Sequence, residues 1–236
     1  MVSGGYGSSF MAFKVLGKFL DADGSLTKMS SAQAAGLLLL LTSWPALADP
    51  VRIVGFGDSL MAGYQLAPGE GFPEQLEDAL RSRGHEVIVV NAGVSGDTTS
   101  GGLARLDWSV PEETDLVILE LGANDMLRGL PPAETRDNLE EIIVRLKDRG
   151  IGILLVGMYA APNLGADYQE AFNAIYPQLA DKYDLPLVPF FLAGVIGESG
   201  LLLEDRMHPN AQGVERMVET VLPVVEAVVA GEKPNM

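Results

Sequence analysis

Two rhythms of hydrophobic positions alternate along the chain from residue 49 onward. Short, nearly continuous apolar runs recur at 51–57 (VRIVGFG), 85–91 (HEVIVVN), 115–121 (DLVILEL) and 151–158 (IGILLVGM), with a shorter one at 187–191. Runs of this length, rich in β-branched residues, predict strands covered on both faces. Between them the apolar positions fall at three- and four-residue spacing. Phe72, Leu76, Ala79 and Leu80 predict a helix over 72–83 that stops at Gly84. Leu139, Ile142, Ile143 and Leu146 predict another over 135–149, with Gly150 just past its end. Residues 168–183 and 209–230 are helical in pattern, and Pro223 is expected to kink or split the last helix.

Strands alternating with amphipathic helices predict parallel pairing through right-handed crossovers. The expected fold class is α/β, a three-layer α/β/α sandwich. Residues 49–236 show no internal repeat and no linker, and are expected to form a single domain. Ligands of such sheets bind at the carboxyl ends of the strands. The informative loops are therefore those that follow each strand.

The first 48 residues break the rhythm. Residues 34–48 (AAGLLLLLTSWPALA) carry an apolar stretch of about ten residues that ends in a small-x-small pattern, Ala46-Leu47-Ala48. A bilayer span needs roughly 20. This predicts a signal peptide cleaved after Ala48, with Met29 as the start of translation, and no stable membrane anchor after processing. A buried N-terminal helix or an uncleaved anchor are the alternatives.

Composition narrows the chemistry. There are no cysteines, which excludes disulfides, thiol nucleophiles and iron–sulfur clusters. With only His85 and His208, histidine-rich zinc sites are nearly excluded, and no metal site is expected. The net charge of −16 argues against nucleic acid as a partner. It weakly favours a monomer.

The strand-end loops then supply reactive groups. Gly57-Asp58-Ser59-Leu60 follows the first strand and places a hydroxyl at the edge of the sheet. Ser59 could equally be a helix cap and Asp58 a turn residue. Two other readings of this loop fail. A dinucleotide fingerprint would need glycine at Leu60, and a nucleophile elbow would need glycine at Met61. After the second strand, Gly96 offers a bare backbone N–H, or simply a turn feeding a helix capped by Asp97 or Thr98. After the third, Asn124 offers an amide donor suited to an oxyanion, or an Asx turn. Near the end, Asp205 precedes His208 by three residues, a spacing that lets the carboxylate hold the imidazole. His85 opens the second strand, at the opposite edge, and reads as structural. A hydroxyl, an N–H, an amide and an Asp–His pair at one sheet edge are the parts of an acyl-transfer site.

These blocks resemble the GDSL, or SGNH, hydrolases, whose four named residues fall here on Ser59, Gly96, Asn124 and His208. The similarity is nearest to the periplasmic arylesterase, thioesterase I and lysophospholipase branch. It is carried by GDSLMAGY (57–64), NAGVSGDTTSGGLARL (91–106), LELGANDMLRG (119–129), EAFNAIYPQLA (170–180) and LPLVPFF (185–191). Ala123 departs from the second glycine common in the third block. The resemblance implies a flavodoxin-like sandwich with a five-stranded parallel sheet and a periplasmic or secreted enzyme. It implies a catalytic triad of Ser59, Asp205 and His208, an oxyanion hole of the Ser59 and Gly96 N–H groups with Asn124, and no cofactor.

The expected substrate is a small carboxylic ester or thioester. Met126, Leu127, Leu130 and Pro162 are expected to line the acyl pocket. Carbohydrate deacetylases and acyltransferases of the same family are the alternative, and a non-catalytic acyl-ligand binding protein a more remote one. Asp58 is expected to brace the turn and not to orient His208.

Overall fold

The structure is a computed structural model, and it describes residues 49–232. The expected leader over 1–48 lies outside those residues. Five parallel strands form one sheet: β1 (Val51–Gly57), β2 (Val87–Gly93), β3 (Leu116–Glu120), β4 (Gly152–Val156) and β5 (Leu187–Val188), in the order β2-β1-β3-β4-β5. The order reverses beside β1, so the loops after β1, β2 and β3 open onto one another.

Among the described residues eight helices connect and flank the strands: α1 (Ser59–Ala62), α2 (Phe72–Ser82), α3 (Thr99–Ser109), α4 (Ala123–Leu127), α5 (Pro132–Asp148), α6 (Ala166–Asn173), α7 (Ile175–Tyr183) and α8 (Ala211–Val229), with a 3₁₀ turn at Pro162–Leu164. α2 packs against α8, and α3 against α5, which also meets α6 and α7. The layers close over a core in which Ile53, Phe56, Val117, Ile118, Leu119 and Leu154 are fully buried. This is the three-layer α/β/α sandwich expected from the alternation.

Several boundaries differ, each for a local reason. β2 begins two residues late, because Gly84 and His85 complete the turn that ends α2: the His85 N–H bonds back to Leu80 O at 3.2 Å. The 168–183 segment forms two helices that meet at Ala174. Pro177 has no N–H to give the Asn173 carbonyl, so the first ladder ends there. β5 is only two residues long, bounded by Pro186 and Pro189. Pro223, by contrast, does not split α8, which runs unbroken across it.

α3 has no apolar stripe of its own. Its Gly102 lies so close to β3 that an added Cβ would fall 2.3 Å from Leu121 Cδ1, and this close approach seats the helix on the sheet. Among the described residues no helix is long and apolar enough to cross a membrane.

Candidate active site

At the carboxyl end of β1, Asp58 caps α1 with its side chain, accepting from Leu60 N–H at 3.0 Å. Ser59 is therefore the first residue of the helix, with Asp58 in the capping role. The Ser59 hydroxyl meets Nε2 of His208 at 2.9 Å, across 149 positions of sequence. Nδ1 of His208 lies 2.6 Å from Asp205 Oδ2. Asp205 Oδ1 accepts from the His208 and Met207 N–H groups at 3.0 and 2.9 Å. Those two amides and the imidazole hold the Asp205 carboxyl down at about 2, so it is ionised at any ordinary pH. The Asp205–His208 loop is tied to the fold by Leu203 N–H bonding to His208 O at 2.8 Å, and α8 follows with Asn210 as its cap.

Gly96 sits at the third position of a turn closed by Asp97 N–H to Val94 O at 3.1 Å. Its φ of 83° is the left-handed conformation that this position demands and that glycine adopts without penalty. Thr98 caps α3, accepting from Gly101 N–H. Asn124 lies in α4, beyond Gly122, and its Nδ2 donates to Asp58 Oδ2 at 2.9 Å.

Three side chains that sequence reasoning did not single out hold these loops in register. Arg105 is buried: its Nε donates to Asp97 at 2.6 Å, Nη1 to Ala92 O at 2.8 Å and Nη2 to Gly57 O at 3.0 Å, while its guanidinium lies 4.1 Å over the Phe56 ring. One residue thus ties the ends of β1 and β2 to the Gly96 turn. Asp125, also buried, accepts from Thr99 N–H at 2.8 Å and from its hydroxyl at 2.5 Å, linking the Asn124 and Gly96 loops. Glu120 closes β3, buried, and accepts from Asp58 N–H at 3.2 Å. The sequence does carry a signal for Glu120, a lone acid in an otherwise apolar run. Arg105 has only its place in an unpatterned helix.

Burial pushes the Asp58 carboxyl up to about 6, against the opposing hydrogen bonds from Leu60 and Asn124. Burial also drives Glu120 well above the usual carboxylate range, and the neighbouring Asp58 adds to it. The Ser59 turn therefore rests on two buried acids.

The site opens into a cleft of about 790 Å³ whose lining is mostly apolar. Ser59, Gly96, Asn124 and His208 all line it. Of the expected pocket residues, Met126, Leu127 and Pro162 line it too, as does Ala123. Leu130 does not, which corrects the expectation. The chain turns at Gly129, Leu130 N–H bonds to Asp125 O at 2.9 Å, and Tyr168 donates to the Leu130 carbonyl at 2.9 Å. The cleft is completed by Tyr159, stacked on Phe190 with centroids 4.8 Å apart, and by Met158, Leu192, Ile196 and Met207. His85 faces Glu226 at 3.2 Å, at the other edge of the sheet and outside the cleft. Among the described residues no cluster of His, Asp or Glu could hold a metal ion.

The chain is similar to known proteins in sequence and in fold. The model of the GDSL-like lipase/acylhydrolase family matches residues 56–216. An arylesterase of Vibrio mimicus is 41% identical over 171 residues, 72% of this chain and 86% of its own length. The Escherichia coli K12 protein named thioesterase 1/protease 1/lysophospholipase L1 is 41% identical over 174 residues, 73% of this chain and 81% of its own. Among solved structures, the SGNH-hydrolase family esterase AlinE4 is 50% identical with a TM-score of 0.65, covering 78% of this chain and 98% of that one. The chain belongs to the GDSL-like lipase/acylhydrolase family.

Proposed function

We propose that this protein is a serine ester hydrolase that cleaves carboxylic esters, and thioesters of similar shape, through an acyl-enzyme on Ser59. The observation that carries the reading is the Ser59–His208–Asp205 chain of contacts, 2.9 and 2.6 Å between its members, with Ser59 and His208 lining an apolar cleft. His208 Nε2 takes the proton as Ser59 Oγ attacks the acyl carbonyl. It returns that proton to the departing alkoxide or thiolate, and water then repeats the sequence on the acyl-enzyme. Asp205 fixes the imidazole tautomer and stabilises its protonated form. The N–H groups of Ser59 and Gly96 and the amide of Asn124 supply the oxyanion donors.

Asn124 has two N–H groups on one nitrogen. Asp58 takes one, which fixes the orientation of the amide and leaves the other for the oxyanion. Asp58 is thus a brace for both the nucleophile turn and the oxyanion donor, while Asp205 orients the base.

The cleft suits an acyl chain or an aryl group. Trp108, one of the chain's two tryptophans, is exposed on α3 and takes no part in the cleft, so it offers no platform for a sugar ring. The small-x-small pattern at Ala46-Leu47-Ala48 supports export of a single domain beginning near residue 49.

The test is initial-rate hydrolysis of p-nitrophenyl esters from acetate to palmitate by the full chain and by Ser59→Ala. Hydrolysis that disappears in Ser59→Ala supports the reading, and the series gives the chain-length preference. Failure of the folded wild type on every ester defeats it in favour of sugar O-acetyl substrates.

A further inference from the structure

We infer that Tyr64 is a positioning residue for the general base, a ring that fixes the face of the His208 imidazole. The inference rests on the reading of Ser59, His208 and Asp205 as the reacting triad. Centroids of the two rings lie 4.4 Å apart and their planes are tilted by 38°. Tyr64 follows the nucleophile by five residues and is anchored to it: its N–H bonds to Ser59 O at 3.2 Å, just after Gly63 ends α1 in the left-handed conformation. The phenol is held at its far end by Gln65, whose Nε2 donates to it at 3.1 Å. Gln65 itself has a φ of 58°, an uncommon conformation for a non-glycine residue.

The geometry explains why such a contact is needed. The hydrogen bonds to Asp205 and Ser59 both lie at edges of the imidazole. With the bond to Cβ they set the plane of the ring, but all three act within that plane and none packs on its face. The loop backbone is held by Leu203 N–H on His208 O and by Asp205 on the Met207 and His208 N–H groups, but none of these bonds reaches the face of the ring. Asp205, Arg206 and Met207 are all exposed, and Arg206 has a φ of 58°. A contact on the ring face supplies the missing constraint. The aromatic face also favours the imidazolium that develops as Ser59 loses its proton, since a cation over a π-face is attracted to it. Both effects act on the chemical step; Tyr64 also lines the cleft, so the split between kcat and KM separates positioning of His208 from ester binding.

The experiment compares the full chain with Tyr64→Phe and Tyr64→Leu, and with Ser59→Ala alongside. It measures kcat and KM on p-nitrophenyl butyrate, and the rate of covalent labelling by diisopropyl fluorophosphate. That small probe reads Ser59 activation with little use of the acyl cleft. Tyr64→Leu keeps apolar bulk and loses the flat face. It is expected to lower both kcat and the labelling rate about five-fold with KM within two-fold of wild type, in line with the usual strength of a cation–π contact at a partly exposed site. Tyr64→Phe keeps the face and is expected to stay within two-fold on every parameter. Tyr64 is exposed at the rim, so both variants are expected to fold, and equal melting temperatures check it.

Three results would overturn the inference: Tyr64→Leu indistinguishable from wild type, a loss confined to KM, or Tyr64→Phe as impaired as Tyr64→Leu. Hydrolysis persisting in Ser59→Ala would instead overturn the triad reading itself.

Discussion

The side-chain amide of Asn124 donates to the buried carboxylate of Asp58 at 2.9 Å, joining the loop after β3 to the Ser59 turn after β1. An oxyanion donor is worth most when its direction is set before the reaction begins. The direction of the Asn124 amide is set by a carboxylate one residue from Ser59. Asn124→Ala removes the donor and is expected to lower kcat by roughly 10²–10³ with KM little changed. Steady-state kinetics on a p-nitrophenyl ester measure it, and activity within a few-fold of wild type would remove Asn124 from the oxyanion hole.

Asp58→Asn places an amide against an amide. The new side chain keeps one acceptor where Asp58 had two, so either the Leu60 N–H or the Asn124 amide now faces a donor, and the turn or the oxyanion donor is misdirected. The expected loss is on the order of 10², comparable with losing an oxyanion donor. Asp205→Asn leaves the imidazole in the wrong tautomer, and its expected loss is greater, on the order of 10⁴. The two variants compared at equal folded fraction give the ranking. The reverse order would exchange the roles of the two aspartates.

The Asp58 carboxyl also shapes stability against pH. Its native pKa of about 6 lies above the ordinary value of 3.8, so the folded chain holds this proton more tightly than the unfolded chain does. The contribution is fully present below pH 4 and is lost as pH rises towards 6. At 1.36 kcal/mol per pH unit the loss is roughly 3 kcal/mol. Glu120, raised in the same way, acts in the same direction. Asp58→Asn removes the Asp58 share of the slope between pH 4 and 6, so its stability relative to wild type should rise across that window. Urea midpoints at half-unit steps of pH read this directly, and parallel curves for the two proteins would show that Asp58 is not the titrating group.

Arg105 and Asp97 form a buried ion pair at 2.6 Å, with both side chains largely hidden. Removing the cation leaves the carboxylate and two strand-end carbonyls without their partner. Arg105→Met is expected to cost about 3–5 kcal/mol, the usual penalty for breaking one side of a buried pair. Chemical denaturation measures it. A cost below about 1 kcal/mol would mean that the strand ends hold their register without Arg105.

Gly102 tests the seating of α3 on the sheet. An added methyl would overlap Leu121 Cδ1, and the helix must then lift or Leu121 must move. Gly102→Ala is expected to destabilise by about 1–3 kcal/mol despite the better helix propensity of alanine. A stabilised variant would show that the contact yields without cost.

The sequence by itself determined the alternation of strands and helices, the α/β class, and the four loops that carry Ser59, Gly96, Asn124 and the Asp205–His208 pair. These were legible because each depends on local signals: runs of β-branched residues, three- and four-residue spacing, glycine at a turn, a carboxylate three residues before a histidine. Where local signals competed with neighbours in space, the reading failed at the margins. Pro177 broke one helix in two, Pro223 did not break another, and Leu130 fell outside the cleft because Asp125 and Tyr168 hold its backbone. The rest was decided only by the tertiary structure. The 2.9 Å meeting of Ser59 and His208 spans 149 residues, and the bond of Asp58 to Asn124 spans 66. No local pattern encodes such pairings. Nor could it show that Glu120, in an apolar strand, supports the Ser59 turn, or that Arg105 closes three loops at once. Those roles arise from burial, which raises the cost of an unpartnered polar group and so dictates which distant groups must meet.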